Sequence, residues 1–95
     1  MPVLVVSQLD ITDAEGMRSY QQSYPPLVEE FGGRYLVRGG EVTALEGEWK
    51  HDRLVVIEFP TREAAQAWYD SPAYRPFIEV RQRYARTTML LVDQL

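Results

Sequence analysis

Three runs of consecutive aliphatic residues constrain this chain most: VLVV at 3–6, LVVI at 54–57 and MLLV at 89–92. A strand with one solvated face alternates apolar and polar residues, whereas an unbroken short run suits a strand covered on both faces. The runs therefore predict strands over Val3–Leu9, Arg53–Phe59 and Thr87–Val92, with Asp10–Asp13 and Pro60 as stops after the first two.

Helical signals fill the intervals. Thr12 or Asp13 is a suitable N-cap, and Met17, Tyr20, Tyr24, Leu27, Val28 and Phe31 recur at three- and four-residue spacing, which predicts a helix over 14–31. Pro25 and Pro26 remove backbone donors inside it, so a kink or two short helices are expected. Gly32-Gly33 ends the helix and Arg34–Arg38 reads as a strand. Gly39-Gly40 then fits a bulge or bend, with Glu41–Leu45 still extended and Glu46-Gly47-Glu48 a turn. Thr61 caps a helix over 62–70, and Ser71-Pro72 repeats the start signal for a helical segment running to about Tyr84.

The order strand, helix, strand, strand, helix, strand is the split β-α-β plan. The expected fold is α+β: a ferredoxin-like βαββαβ sandwich, a four-stranded antiparallel sheet with two helices on one face, in a single domain over 1–95. Such a sheet has one face left bare, yet the three runs put aliphatic groups on both. Burying one such side chain contributes about 1.5–3 kcal/mol, so leaving roughly six to eight exposed forgoes on the order of 10 kcal/mol. A homodimer packed through the sheet face is the expected remedy; a monomer with a loop folded under the sheet is the alternative.

Composition removes several functions. Fourteen acidic residues against ten basic give a formal charge of −4, which opposes nucleic-acid binding. The chain has no Cys and a single His, so thiolate chemistry and multi-histidine metal sites are excluded. Neither glycine pair forms a nucleotide-binding loop, and carboxylates lack metal-ligand spacing, so neither cofactor nor metal is expected. No apolar run is long enough to cross a membrane, and no leader is recognisable, so the expected location is the cytoplasm.

The stretch GGRYLVRGG at 32–40, with Leu45-Glu46-Gly47, VIEFP at 56–60 and Ala67-Trp68-Tyr69-Asp70-Ser71-Pro72-Ala73-Tyr74, resembles the domain of unknown function 1330 family. The likeness spans essentially the whole chain and implies the dimeric α+β barrel superfamily. That superfamily includes cofactorless monooxygenases, a muconolactone isomerase and dye-decolourising peroxidases, which share a pocket between sheet and helices. The family itself implies no reaction, and no histidine stands where the monooxygenases are expected to carry one.

The candidate ligand-binding residues are Arg38, Glu46, Glu58, Trp68, Tyr69, Ser71 and Tyr74. A guanidinium at Arg38 suits a carboxylate or enolate oxygen; the competing role is an ion pair with Glu46 or Glu58. Glu58 interrupts an apolar strand, so either an arginine partner or a pocket that raises its pKa is expected. Glu46 serves a turn or a site, and Ser71 reads better as a cap than as a nucleophile. Trp68 and Tyr69 are adjacent on a helix and cannot share a direction, so one packs inward. With Tyr74 they form the walls of a pocket or part of the core. His51, beside Asp52, reads as a solvated loop residue.

Two functions fit. One is a small-molecule-binding protein or cofactorless enzyme whose pocket takes a carbonyl, carboxylate or aromatic compound, with Arg38 and Glu58 or Glu46 as its polar groups and with Arg38, Glu58 and Tyr69 converging on it. The other is a non-catalytic dimeric structural or ligand-sensing module.

Overall fold

The computed structural model describes residues 2–23 and 27–95, and side chains outside 19–26. The elements are β1 (Val3–Ile11), α1 (Ala14–Ser23), α2 (Leu27–Glu30), β2 (Arg34–Arg38), β3 (Arg53–Phe59), α3 (Arg62–Asp70), α4 (Arg75–Tyr84) and β4 (Ala85–Asp93). The strands form one antiparallel sheet in the order β2-β3-β1-β4, the ferredoxin-like arrangement read from the sequence.

Local chemistry explains the boundaries. Asp13 Oδ1 accepts from Gly16 N at 3.0 Å and Thr61 Oγ1 from Ala64 N at 3.0 Å, so both helices begin at a side-chain cap. Gly32 has φ +84°, the left-handed conformation that closes α2, and Gly33 N donates back to Val28 O at 2.8 Å. Helices α1 and α2 are described on either side of residues 24–26; the break expected at Pro25 and Pro26, Tyr24 and the Tyr20 side chain lie outside the described residues.

Three expectations change. Residues 41–45 pair with no strand among the described residues. The bulge lies earlier, between Tyr35 and Val37, and Gly39 (φ +74°) turns the chain away from the sheet edge after its N–H bonds Leu54 O. Ser71 does not begin the last helix: its hydroxyl donates to Trp68 O at 2.9 Å and accepts from Tyr74 N at 3.3 Å, stapling the turn between α3 and α4.

The strand period of two sorts the side chains. Val3, Val5, Ser7 and Leu9 of β1 are buried under the helices, with Ile57 and Phe59 of β3 beside them. Trp68 stacks on Tyr74 (centroids 4.5 Å apart, planes at 27°) and packs against Phe59 at 5.3 Å, joining both helices to the sheet. The opposite face carries Leu4, Val6, Leu54, Val56, Leu90 and Val92, and Leu90 is 59% exposed. Among the described residues no loop is folded over Leu36, Leu90 and Val92, which stay exposed. No helix among the described residues is long and apolar enough to cross a membrane.

Candidate functional site

Sheet register lays out a cavity floor. One row across the inner face runs Met89, Ser7, Val55, Arg38, and the next runs Thr87, Leu9, Arg53. Every residue of both rows lines a cavity closed from above by Trp68 of α3, Tyr74, Arg81 of α4 and Met17 of α1. The gap has a local cause. Ser7 is 2% exposed in a strand whose other inward residues are Val3, Val5 and Leu9, and its small side chain leaves space between Met89 and Val55. Measured to the centres of water-sized spheres, the volume is about 70 Å³. One water needs at least about 10–15 Å³ on that measure, so a small organic group fits.

The bulge in β2 delivers Arg38. By simple alternation Arg38 and Tyr35 would take opposite faces; the extra residue at Leu36 brings Arg38 opposite Val55 and onto the inner face. There its guanidinium lies over the Tyr35 ring, 4.5 Å from the centroid. Burial pushes the Tyr35 phenol above its ordinary 10.0, against the opposing pull of Arg38, so it is a neutral hydroxyl at neutral pH.

Arg81 is the group that sequence reasoning missed. It is 5% exposed, and its Nη1 donates to the Tyr74 hydroxyl at 2.6 Å. No carboxylate lies within ion-pair distance of it among the described residues, and residues 19–26 contain no Asp or Glu. The signal was available: Tyr74, Ile78, Arg81 and Ala85 follow helical spacing, which sets a charge on the apolar stripe. Ser7 and Thr87, polar residues on a buried strand face, carried a similar signal.

Three buried side-chain atoms of the described residues lack a hydrogen-bond partner: Trp68 Nε1, Arg81 Nε and Thr87 Oγ1. All three belong to residues lining this one cavity. Buried polar atoms are almost always paired, with protein or with ordered water, and these three have no partner within the described chain.

Of the seven candidates, Arg38, Trp68 and Tyr74 line the cavity. The others do not, and the expected convergence of Arg38, Glu58 and Tyr69 is not met. Glu58 points to the opposite face, where Arg34 Nε donates to Oε1 and Gln94 Nε2 to Oε2, each at 2.8 Å. Its pKa is lowered rather than raised, because Gln94 and then Arg34 bond the ionised form. Tyr69 lines another groove, beside Gln66, Leu90 and Leu91, with Trp68 and Met89 bordering both spaces. Glu46 is exposed on the 39–52 connection next to Leu45, itself 93% exposed. Ser71 is occupied by its staple. His51 is half-buried rather than solvated: its Nδ1 lies 3.2 Å from Asp10 Oδ2, and Trp49 meets its ring edge-on at 5.0 Å.

The domain of unknown function (DUF1330) model matches residues 2–95. No curated protein matches the chain. Among solved structures, a protein of unknown function from Rhodopseudomonas palustris is similar at 20% identity, TM-score 0.78, over 99% of this chain and 82% of that one. SnoaB, a cofactor-independent oxygenase from Streptomyces nogalater, is similar at 15% identity, TM-score 0.61, covering 99% and 93%. A dimeric ferredoxin-like protein of unknown function from Thermobifida fusca is similar at 10% identity, TM-score 0.62, covering 99% and 92%. At these identities the likeness is one of fold.

Proposed function

The chain belongs to the DUF1330 family, whose name states no activity, and we therefore propose its function from the cavity itself: it binds a small organic molecule between sheet and helices, as a homodimer joined through the bare sheet face. The observation that carries the binding reading is that Trp68, Arg81 and Thr87, each with an unpaired buried side-chain atom (Nε1, Nε and Oγ1), all line one cavity. A ligand oxygen would satisfy them. Arg38, Trp68 and Tyr74 remain ligand-binding residues in this reading, with Arg81, Thr87 and Tyr35 added.

Binding is favoured over proton-transfer catalysis because the described lining holds no carboxylate or imidazole to take a proton near neutral pH. The oxygenase activity of SnoaB belongs to that protein and is not carried over. The dimer rests on the exposed Leu36, Leu90 and Val92 of the outer face, and on the dimeric state of the Thermobifida fusca neighbour.

The test is a thermal-shift screen with small carbonyl compounds, carboxylates and aromatics, repeated on Ser7→Leu, which fills the floor, and on Arg38→Ala. Compounds that raise the melting temperature of the wild type and not of Ser7→Leu place binding in the cavity. If nothing stabilises the wild type, or Ser7→Leu responds equally, the reading falls. Stabilisation undiminished in Arg38→Ala removes Arg38 from the site.

A further inference from the structure

The chain is acidic overall, yet the described lining of its cavity carries three guanidinium groups, Arg38, Arg53 and Arg81, and no carboxylate. Charge in the cavity is therefore opposite in sign to charge on the molecule. Two of these groups have visible reasons for their places. Arg38 rests on the Tyr35 ring, and Arg53 packs over Gly39, where a Cβ would come within 2.7 Å of its Cζ.

Arg81 is less fully accounted for: besides its bond to the Tyr74 hydroxyl, its Cζ lies 5.9 Å from the centroid of the same ring, at the outer limit of a cation–ring contact. A guanidinium removed from water needs a counter-ion or a full set of acceptors, and one phenol oxygen does not provide either. Its Nε–H remains unpaired inside the protein. The other unpaired atoms, on residues lining the same cavity, match it in kind: the Trp68 indole N–H only donates, and the Thr87 hydroxyl can donate. Donors without acceptors, around a positive charge, call for a negatively charged oxygen group. The space is small and its roof is the Trp68–Tyr74 stack, which favours a compact planar group over a large one.

We infer that Arg81 is the anchor for the carboxylate of a small, planar organic acid, with Trp68 Nε1 and Thr87 Oγ1 as further donors to it. The inference rests on the cavity being a binding site and names its ligand class. Tyr74 acts as a positioning residue: its hydroxyl takes Arg81 Nη1 and fixes the direction in which the remaining guanidinium edge faces. A planar guanidinium edge suits the two oxygens of a carboxylate. The acidic exterior does not prevent this, because buried fixed charges are screened far less than surface ones.

Benzoate and its uncharged isostere benzamide form the test, with binding measured by calorimetry on the wild type, Arg81→Gln and Arg81→Lys. A hydrogen-bonded charged pair of this kind corresponds to about tenfold to a hundredfold in affinity. The expected result is that benzoate binds the wild type at least about tenfold more tightly than benzamide. Arg81→Gln should abolish that preference, and Arg81→Lys should keep part of it. Equal binding of benzoate and benzamide would overturn the carboxylate assignment while leaving the cavity a binding site. Unchanged benzoate affinity in Arg81→Gln would overturn it as well, since the acid would then sit elsewhere. Binding of neutral compounds only would do the same. The wild-type comparison stands without any variant, so a misfolded Arg81→Gln protein does not remove the test.

Discussion

Arg81 Nη1 and the hydroxyl of Tyr74 meet at 2.6 Å, a bond that joins the last turn of α4 to the residue capping its start, on the roof of the cavity. Both residues are buried. A cation this deep with no carboxylate of the described chain beside it burdens the fold, and packing elsewhere offsets the cost.

Arg81→Met follows from that relationship. Methionine keeps the length and removes the uncompensated charge, so urea unfolding at fixed protein concentration should show a gain of about 1–4 kcal/mol, with carboxylate binding lost. Tyr74→Phe should lose about 1–3 kcal/mol, because it takes away the acceptor and leaves the cation. A strongly destabilised Arg81→Met would mean that the arginine serves the fold alone.

The sheet face gives a second expectation. Leu90 projects from the uncovered face of β4, so a charge there should break assembly and leave the protomer folded. Sedimentation should give a two-chain mass for the wild type and a one-chain mass for Leu90→Asp. The far-ultraviolet circular dichroism of the two should coincide. A one-chain wild type at micromolar concentration would dismiss the dimer.

Glu58 sets an acid dependence. Its carboxyl, held below the ordinary 4.5 by Gln94 and Arg34, contributes stability that is present above that value and lost as pH falls through the folded-state pKa. Melting temperatures taken below about pH 5 should therefore fall less steeply in Glu58→Gln than in the wild type. Parallel curves would mean that the two bonds contribute nothing measurable.

Gly33 is a packing test. An added Cβ would stand 2.7 Å from the Phe59 ring and 2.9 Å from Val28, both fully buried. Gly33→Ala should cost about 1–3 kcal/mol, measured by urea unfolding. Gly47→Ala makes a contrast: no neighbour meets its Cβ, and only its φ of +76° strains the turn, so a loss of about 1 kcal/mol without any core repacking is expected.

Much of the architecture was legible because its signals are local. Apolar runs, Thr61, Asp13 and the Gly32-Gly33 pair act on their own neighbours, and β2, β3 and α3 fall on their expected boundaries. The site depends on relations between distant segments. For Glu58 the sequence leaves an arginine partner and a pocket both open, because it does not show which face of the sheet the helices cover; the structure has the partner, Arg34. Arg38 reaches the inner face only through a bulge at Leu36, three residues before the glycine pair that marks the expected position. Arg81 was passed over although it sits on the apolar stripe of α4, a position where a charge is hard to explain by packing.

The central claim is that the unpaired donors of the cavity await a ligand oxygen, and the Trp68 indole N–H reports on this directly. The chain has two tryptophans, so a ¹⁵N-labelled sample gives two indole signals, and a Trp49→Phe variant assigns them. On titration with benzoate, the Trp68 signal should move saturably downfield while that of Trp49 stays in place. A Trp68 signal unmoved by benzoate would contradict the account.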